Sequence, residues 1–344
     1  MIHFDCDYTQ GAQPKIIEML AKTNMEQTTG YGEDGHCERA RQMILEKCRN
    51  KDAYVQFLVG GTQANTTVIA AALRPWQGVI SADTGHINVH ETGAIEATGH
   101  KVIALPNKDG KIAAEQIDAC CREHFSAGNA EHMVQPGMVY VSNPTEYGTL
   151  YTKTELESIR KVCSEYDLIL FVDGARMAYG LGAEGNDLTL ADYAAISDVF
   201  YIGGTKAGAL FGEAVVITDE RLKKDFRYMI KRQGGMLAKG RLLGIQYEVL
   251  MEDDLYTELG RHANVLAAKI KEAFLRKGYE SYMDSVTNQQ FFILPLADLE
   301  RLGEKYSYSF ERNTDATHAL VRFCTSWATT EEQVNELLSD VAAL

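Results

Sequence analysis

Short apolar segments rich in β-branched residues alternate with stretches of helical periodicity between about residues 45 and 220. Several of these segments are continuously apolar, which is typical of strands covered on both faces in a mostly parallel sheet. The alternation predicts a layered α/β domain with helices on both faces of the sheet. The predicted strands are residues 53–59, 78–82, 101–105, 138–142, 168–173, 198–203 and 213–218, and the predicted helices are 62–73, 113–125, 154–165 and 189–195.

The pattern changes after residue 235. Residues 236–277 carry apolar side chains at helical spacing and predict one or two long helices. We therefore predict a large α/β domain over residues 1–235 and a smaller α+β domain over 236–344, joined by the long helix. The other predicted elements of the second domain are apolar segments at 289–296 and 319–327, a helix at 297–305 and a terminal helix at 329–344.

The amino-acid composition limits which classes of binding partner are expected. The 344 residues include 34 Lys and Arg against 48 Asp and Glu, a net charge of −14, which argues against binding nucleic acid or anionic membranes. No run of about 18 apolar residues and no secretory signal pattern is present, so we expect a cytoplasmic protein. The seven cysteines form no CxxC pair and the nine histidines no HxH or HExxH motif, so we expect neither a disulfide framework nor a metal site.

Candidate chemistry follows the strand ends, where open α/β sheets bind their ligands. Gly60, Gly61 and Thr62 open a helix, which makes a phosphate cradle or a plain tight turn with a Thr cap. Asp173 ends an apolar strand and either forms a salt bridge or cap, or meets a cationic ligand nitrogen. Lys206 follows the next strand and is either a nucleophilic amine suited to Schiff-base chemistry or a solvent-facing loop residue.

Two further residues have alternative interpretations. His86, after the strand at 78–82, is either a hydrogen-bonded structural residue or an imidazole that stacks on a flat ligand. Arg322 interrupts an apolar run and binds either a ligand carboxylate or a structural anion. Taken together, the strand ends offer an anion cradle, a ring stacker, an Asp and a Lys, which match the phosphate, ring face, pyridine nitrogen and aldehyde of pyridoxal phosphate (PLP).

The order of these motifs resembles that of a known family. The segments GGTQAN (60–65), His86 with ETG (91–93), VDGAR (172–176), Thr205-Lys206 and Val321-Arg322 are similar to those of the threonine aldolases, in the β-eliminating lyase group. The opening FDCD (4–7) and YGED (31–34) add to the similarity. The resemblance implies the aspartate aminotransferase-like fold type I, PLP as cofactor, and a homodimer or homotetramer with shared active sites.

The resemblance also implies residue roles. Lys206 would form a Schiff base with PLP, and Arg176 and Arg322 would hold the substrate carboxylate. Asp173 would meet the pyridine nitrogen, and His86 would stack on the ring and act as a catalytic residue. The other residues implied around the cofactor are Gly61, Thr62, Thr205 and Arg176. Cys6 would lie near the substrate carboxylate, and Tyr31 would lie near the cofactor of a neighbouring subunit.

Some positions depart from the family pattern. Cys6 replaces a Ser, Glu146 replaces a His, and Leu237 replaces an Arg for which Lys231 or Arg232 is the candidate substitute. The implied reaction is aldol cleavage of a β-hydroxy amino acid, L-threonine or L-allo-threonine, to glycine and acetaldehyde. The base for the hydroxyl proton stays open between His86, Glu146 and water. The alternatives are another PLP reaction (β-elimination, transamination or racemisation) or a non-catalytic binding protein.

Overall fold

The computed structural model describes residues 1–344 and contains two β-sheets. Seven strands form the large sheet in the order β2-β8-β7-β6-β5-β3-β4, and five form the small sheet in the order β1-β11-β12-β10-β9. In chain order the strands are β1 (Ile2–Phe4), β2 (Tyr54–Leu58), β3 (Gln77–Ala82), β4 (Val102–Leu105), β5 (Gln135–Ser142), β6 (Ile169–Asp173), β7 (Val199–Gly203), β8 (Glu213–Ile217), β9 (Glu280–Ser281), β10 (Gln289–Pro295), β11 (Tyr306–Asn313) and β12 (His318–Cys324).

Helices cover both faces of the large sheet and one side of the small one. No helix has the length and apolar composition needed to cross a bilayer. In chain order the helices are α1 (Pro14–Lys22), α2 (Gly35–Cys48), α3 (Gly61–Ala72), α4 (His86–Val89), α5 (Ala114–Ser126), α6 (Lys153–Glu165), α7 (Met177–Leu181), α8 (Leu190–Ile196), α9 (Glu220–Lys223), α10 (Phe226–Arg232), α11 (Arg241–Leu250), α12 (Leu255–Lys277), α13 (Leu296–Gly303) and α14 (Glu331–Ala343).

The large sheet is mostly parallel, as predicted. Only β8 runs antiparallel to its two neighbours, β2 and β7. Successive residues of the central strands enter different cores: Val139 and Leu170 pack on one face, whereas Met138 and Ile169 pack on the other. Both faces are therefore covered, which explains why these strands are continuously apolar. The seven predicted strands and four predicted helices of this region are confirmed within a few residues.

The small sheet gathers both ends of the chain. Strand β1 pairs in parallel with β11, so the first residues lie beside the C-terminal strands rather than in the large sheet. The antiparallel strand β11 was not predicted. Helix α11 packs on α2 in the large core, although the sequence division assigned residues 236–344 to the second domain. That division stays a prediction.

Helix α12 connects the two sheets. Tyr256 near its start belongs to the large core, whereas Ile270 and Phe274 belong to the core of the small sheet. Gly260 lies against α7 so closely that a Cβ atom would come 2.0 Å from the carbonyl oxygen of Ala178. One turn later, Asn264 Nδ2 donates to the carbonyl of Tyr179 over 2.7 Å. The helix therefore fixes the small sheet against the segment that follows β6.

Candidate active site

The candidate site lies at one edge of the large sheet. Strands β2, β3, β6 and β7 all run in the same direction, so their carboxyl ends meet at this edge. The cradle, His86 and Lys206 each follow one of these strands, and Asp173 is the last residue of β6. Because β8 is antiparallel, its first residue also lies there. The topology therefore brings the predicted cofactor residues together.

The segment between β2 and α3 is a candidate anion cradle. Gly60 is the N-cap of α3 and provides no side-chain cap, whereas α6 and α14 are capped by Thr152 and Thr330. The first N–H groups of α3 therefore have no side-chain acceptor within the chain. A Cβ atom at Gly61 would lie 3.2 Å from Tyr201 Oη. An anion at this N-terminus would meet free N–H donors and the positive end of the helix dipole.

Asp173 is a buried carboxylate without a cationic partner. Its Oδ1 accepts from Ala175 N over 2.9 Å, and its Oδ2 accepts from the Tyr140 hydroxyl and, over 3.4 Å, from Asn65 Nδ2. It is 4% exposed, and no Lys, Arg or His forms an ion pair with it. A buried carboxylate of this kind favours a cationic ligand atom beside it.

His86 is tied to a buried carboxylate. Its Nδ1 lies 2.7 Å from Glu91 Oε1, which also accepts from Asn65 Nδ2 over 2.7 Å. Burial lowers the pKa of His86, but the hydrogen bond to Glu91 and the charges of Glu146, Asp173 and Glu91 outweigh burial and raise it. Because Asn65 Nδ2 also donates to Asp173, the Asn65 amide connects the His86–Glu91 pair to the carboxylate at the end of β6.

Lys206 lies in the turn between β7 and β8. Its carbonyl accepts from Tyr179 Oη over 2.5 Å, and its ammonium forms no ion pair. The adjacent Thr205 Oγ1 donates to Glu213 Oε1 over 2.8 Å and accepts from Gly212 N over 3.0 Å. The turn is thus fixed by backbone and hydroxyl contacts, which leaves the amine of Lys206 available for reaction.

Arg176 forms a buried ion pair with the N-terminal segment. Its Nε and Nη2 donate to the two carboxylate oxygens of Asp7 over 2.7 and 3.2 Å, and Nη1 lies 3.7 Å from Glu146. Burial raises the pKa of Asp7, but the charges of Arg176 and Lys206 and the bonds from Arg176 and Asn288 outweigh burial and lower it to about 2. Asp7 therefore neutralises most of the charge that Arg176 could offer a substrate.

Arg322 is less neutralised. It lies on β12, and its two Nη atoms donate to Gln289 Oε1 over 2.9 Å and to the carbonyl of Asp5 over 3.2 Å. Its Nε is buried without an acceptor, and the nearest carboxylate, Glu311, is 4.0 Å away. Cys6, the half-buried predicted substrate residue, follows Asp5 in this segment. Each Nη atom carries a second N–H, so the guanidinium can still bind an anion.

Tyr31 lies outside this cluster within one chain. Its side chain is 48% exposed and its ring lies 5.5 Å from Lys231 Nζ, while its carbonyl accepts from Arg227. Leu237 packs against the large core. Delivery of Tyr31 by a neighbouring subunit stays a prediction, as does a phosphate role for Lys231 or Arg232.

Several residues that build the site have no predicted role. Asp7 and Glu91 stood in the motifs that carried the resemblance, but the partners they would bind were not readable from spacing. Tyr140 lies inside an apolar strand, and Glu213 begins another. A buried carboxylate at the start of a strand was the one signal that could have found Glu213.

The arrangement fits a ligand with an anion at one end and a cationic ring nitrogen at another. The uncapped start of α3 suits the anion, and the unpaired Asp173 suits the nitrogen. The fold and this edge define a fold-type-I enzyme. Thermus thermophilus aspartate aminotransferase superimposes with a TM-score of 0.73 at 17% identity, covering all of this chain and 91% of that one, which supports the fold assignment.

Similarity to known proteins identifies the family as well as the fold. The family described as beta-eliminating lyase matches residues 4–295. A low specificity L-threonine aldolase from Pseudomonas sp. (strain NCIMB 10558) is 30% identical over 99% of this chain and 97% of its own length. A threonine aldolase structure from Leishmania major superimposes with a TM-score of 0.97 at 45% identity, covering 100% of this chain and 99% of that one. The chain belongs to the β-eliminating lyase family and, within it, to the threonine aldolases.

Proposed function

We propose that this protein is a PLP-dependent aldolase that cleaves L-threonine or L-allo-threonine to glycine and acetaldehyde. The observation that carries the proposal is the meeting of the α3 cradle, His86, Asp173 and Lys206 at one sheet edge. Arg322, on β12 of the small sheet, donates to the carbonyl of Asp5, two residues before Asp7, the ion-pair partner of Arg176. The threonine aldolase names of the relatives support the substrate class.

The residues present would hold the cofactor at three points. Gly61, Thr62 and the turn at Thr205 would bind the phosphate, Asp173 would keep the ring nitrogen protonated, and Lys206 would anchor the aldehyde. His86 would cover one ring face, its orientation fixed through Nδ1 by Glu91. When bound, PLP supplies an electron sink for the pair released as a bond at Cα breaks.

Arg322 and Arg176 would orient the substrate. Arg322 retains an unpartnered Nε and no carboxylate closer than 4.0 Å, so it is the stronger candidate for the substrate α-carboxylate. Arg176, paired with Asp7, would contribute mainly its Nη1 edge. Hydrogen bonds from both arginines to the carboxylate would orient the substrate so that its Cα–Cβ bond stands perpendicular to the plane of the cofactor ring.

Glu146 is the best-placed acceptor for the β-hydroxyl proton. The raised pKa of His86 favours its imidazolium form, which donates rather than accepts. Asp7 is committed to Arg176, and Glu91 is fully buried against His86. The Glu146 carboxylate is 19% exposed, lies 3.7 Å from Arg176 Nη1, and its charge acts on both His86 and Arg176. We assign the proton to a Glu146 carboxylate oxygen as Cα–Cβ breaks.

The assembly and setting belong to the same proposal. We infer a homodimer or homotetramer in the cytoplasm, in which Tyr31 and its neighbour Lys231 approach the site of another subunit. The exposure of Tyr31 and of Tyr228, 76% exposed on α10, supports a subunit contact at this surface. Light scattering that returns the monomer mass, with full activity, would contradict this assembly.

The function is tested with purified protein loaded with PLP. L-threonine should release acetaldehyde and glycine in equal amounts, whereas Lys206→Ala should lose both the visible absorption of the cofactor and aldehyde release. Lys161→Ala, on the helix α6, is the matched control and should behave as wild type. Ammonia and a keto acid in place of aldehyde would favour β-elimination, and a protein that binds no PLP would favour a non-catalytic role.

A further inference from the structure

Glu213 lies at the active edge although it belongs to no sequence motif of the site. It is the first residue of the antiparallel strand β8 and pairs with Leu58 at the end of β2 and with Gly203 at the end of β7. Its side chain points to the same face as Val215, which packs in the core formed with α3. Glu213 therefore lies beneath the segment that leads from β2 into the α3 cradle.

Only one of the two carboxyl oxygens of Glu213 has a hydrogen-bond partner. The residue is 3% exposed, Oε1 accepts from Thr205 Oγ1 over 2.8 Å, and Oε2 is buried without any partner. No cation forms an ion pair with it. A buried carboxylate with a free oxygen is costly, whereas a carboxylic acid there would carry a proton ready for an acceptor.

The charged and titratable surroundings favour the acid form. Burial raises the pKa of Glu213, Thr205 and Lys206 lower it, Asp173 raises it, and the result is about 8. The other titratable groups close enough to interact with it are hydroxyls, which belong to Tyr201, Tyr247 and Tyr256. No second basic residue faces this carboxyl group.

We propose that Glu213 is a cofactor-binding residue that, as a neutral carboxylic acid, donates its Oε2 hydrogen to the phosphate of bound PLP. This inference rests on the proposed use of PLP. Oε1 stays the acceptor of the Thr205 hydroxyl, so the single acid hydrogen lies on Oε2. Ionisation of Glu213 removes this donor and places a negative charge beside a phosphate dianion, so cofactor affinity falls.

The test is the dissociation constant of PLP between pH 6 and 10, followed by absorbance and compared between wild type and Glu213→Gln. Glutamine keeps the shape and an N–H donor but cannot ionise. The ratio of the wild-type to the variant constant should stay flat to about pH 8 and rise by up to about tenfold over the next pH unit. The titration of PLP itself affects both proteins and cancels in the ratio.

Pyridoxal, which lacks the phosphate, is the control ligand, and its ratio should be flat at all pH values. A flat ratio for PLP, or the same rise for pyridoxal, overturns the inference. A wild type that binds no PLP at any pH overturns the proposed function instead. Should Glu213→Gln fail to fold, infrared difference spectra of the wild type decide: a carboxylic-acid C=O band that shifts with PLP but not with pyridoxal supports the inference, and its absence overturns it.

Discussion

Replacing Asp7 with Asn removes the negative partner of a buried arginine and keeps the side-chain shape. Asp7 is fully buried and holds Arg176 through two hydrogen bonds, while Asn288 Nδ2 donates to it over 2.9 Å. The variant leaves the guanidinium of Arg176 in a low-dielectric interior with only Glu146, 3.7 Å away, as an opposite charge. We expect a clear loss of stability, because an unpaired buried charge costs more than the pair contributes.

The magnitude follows from the carboxyl group itself. Folding lowers the pKa of Asp7 from 3.8 to about 2. At about 1.36 kcal/mol per pKa unit, this difference makes the ionised form contribute roughly 2–3 kcal/mol. Breaking a buried pair typically costs about 3–5 kcal/mol. We expect Asp7→Asn to lower the free energy of unfolding by about 2–4 kcal/mol.

Urea denaturation of both proteins at several pH values measures the difference. A carboxylate whose pKa is depressed stabilises the fold above its unfolded value of 3.8, and this stabilisation is lost as the pH falls toward 2. The gap between wild type and Asp7→Asn should therefore stay nearly constant from pH 7 to about 4.5. Asp5→Asn, at a partly exposed carboxylate, should lose less than about 1 kcal/mol.

A double-mutant cycle tests the assignment to Arg176. Asp7→Asn combined with Arg176→Gln should lose less than the sum of the single losses, with a coupling of about 1–3 kcal/mol. An Asp7→Asn variant as stable as Asp5→Asn, or single losses that simply add, would contradict a stabilising ion pair between Asp7 and Arg176.

Three other variants test the site. Arg322→Gln should raise the KM for threonine about 10- to 100-fold and leave the cofactor spectrum unchanged, because it removes a charged hydrogen-bond donor; an unchanged KM would exclude it from carboxylate binding. Glu146→Gln should lower kcat about 10²- to 10⁴-fold while glycine, which has no hydroxyl, still binds with wild-type affinity; a wild-type kcat would reassign the proton. Glu91→Gln should lower the pKa of His86, seen by NMR as a shift of its imidazole titration to lower pH, because the raising hydrogen bond and charge are removed; an unmoved titration would show that other groups set this pKa.

Local patterns were enough for the parallel core. Strands such as β5 and β6 are apolar on both faces, and such strands are recognisable without knowledge of their neighbours. The three-residue strand β1 could not be recognised in this way, because it is a strand only through its pairing with β11, about 300 residues away. The break between α11 and α12 was equally hidden: it falls at Asp253 and Asp254, whose left-handed backbone conformation Asp tolerates.

The sequence alone determined which residue types follow each strand, and therefore the class of cofactor chemistry. A glycine-rich turn, His86, Asp173 and Lys206 are local features, and a parallel sheet places such features at one edge by its geometry. Partners that come from distant segments were decided only by the tertiary structure. The pairing of Arg176 with Asp7, the free Nε of Arg322 and the unpaired Glu213 depend on which side chains meet after folding, and burial then sets which of them carry a charge.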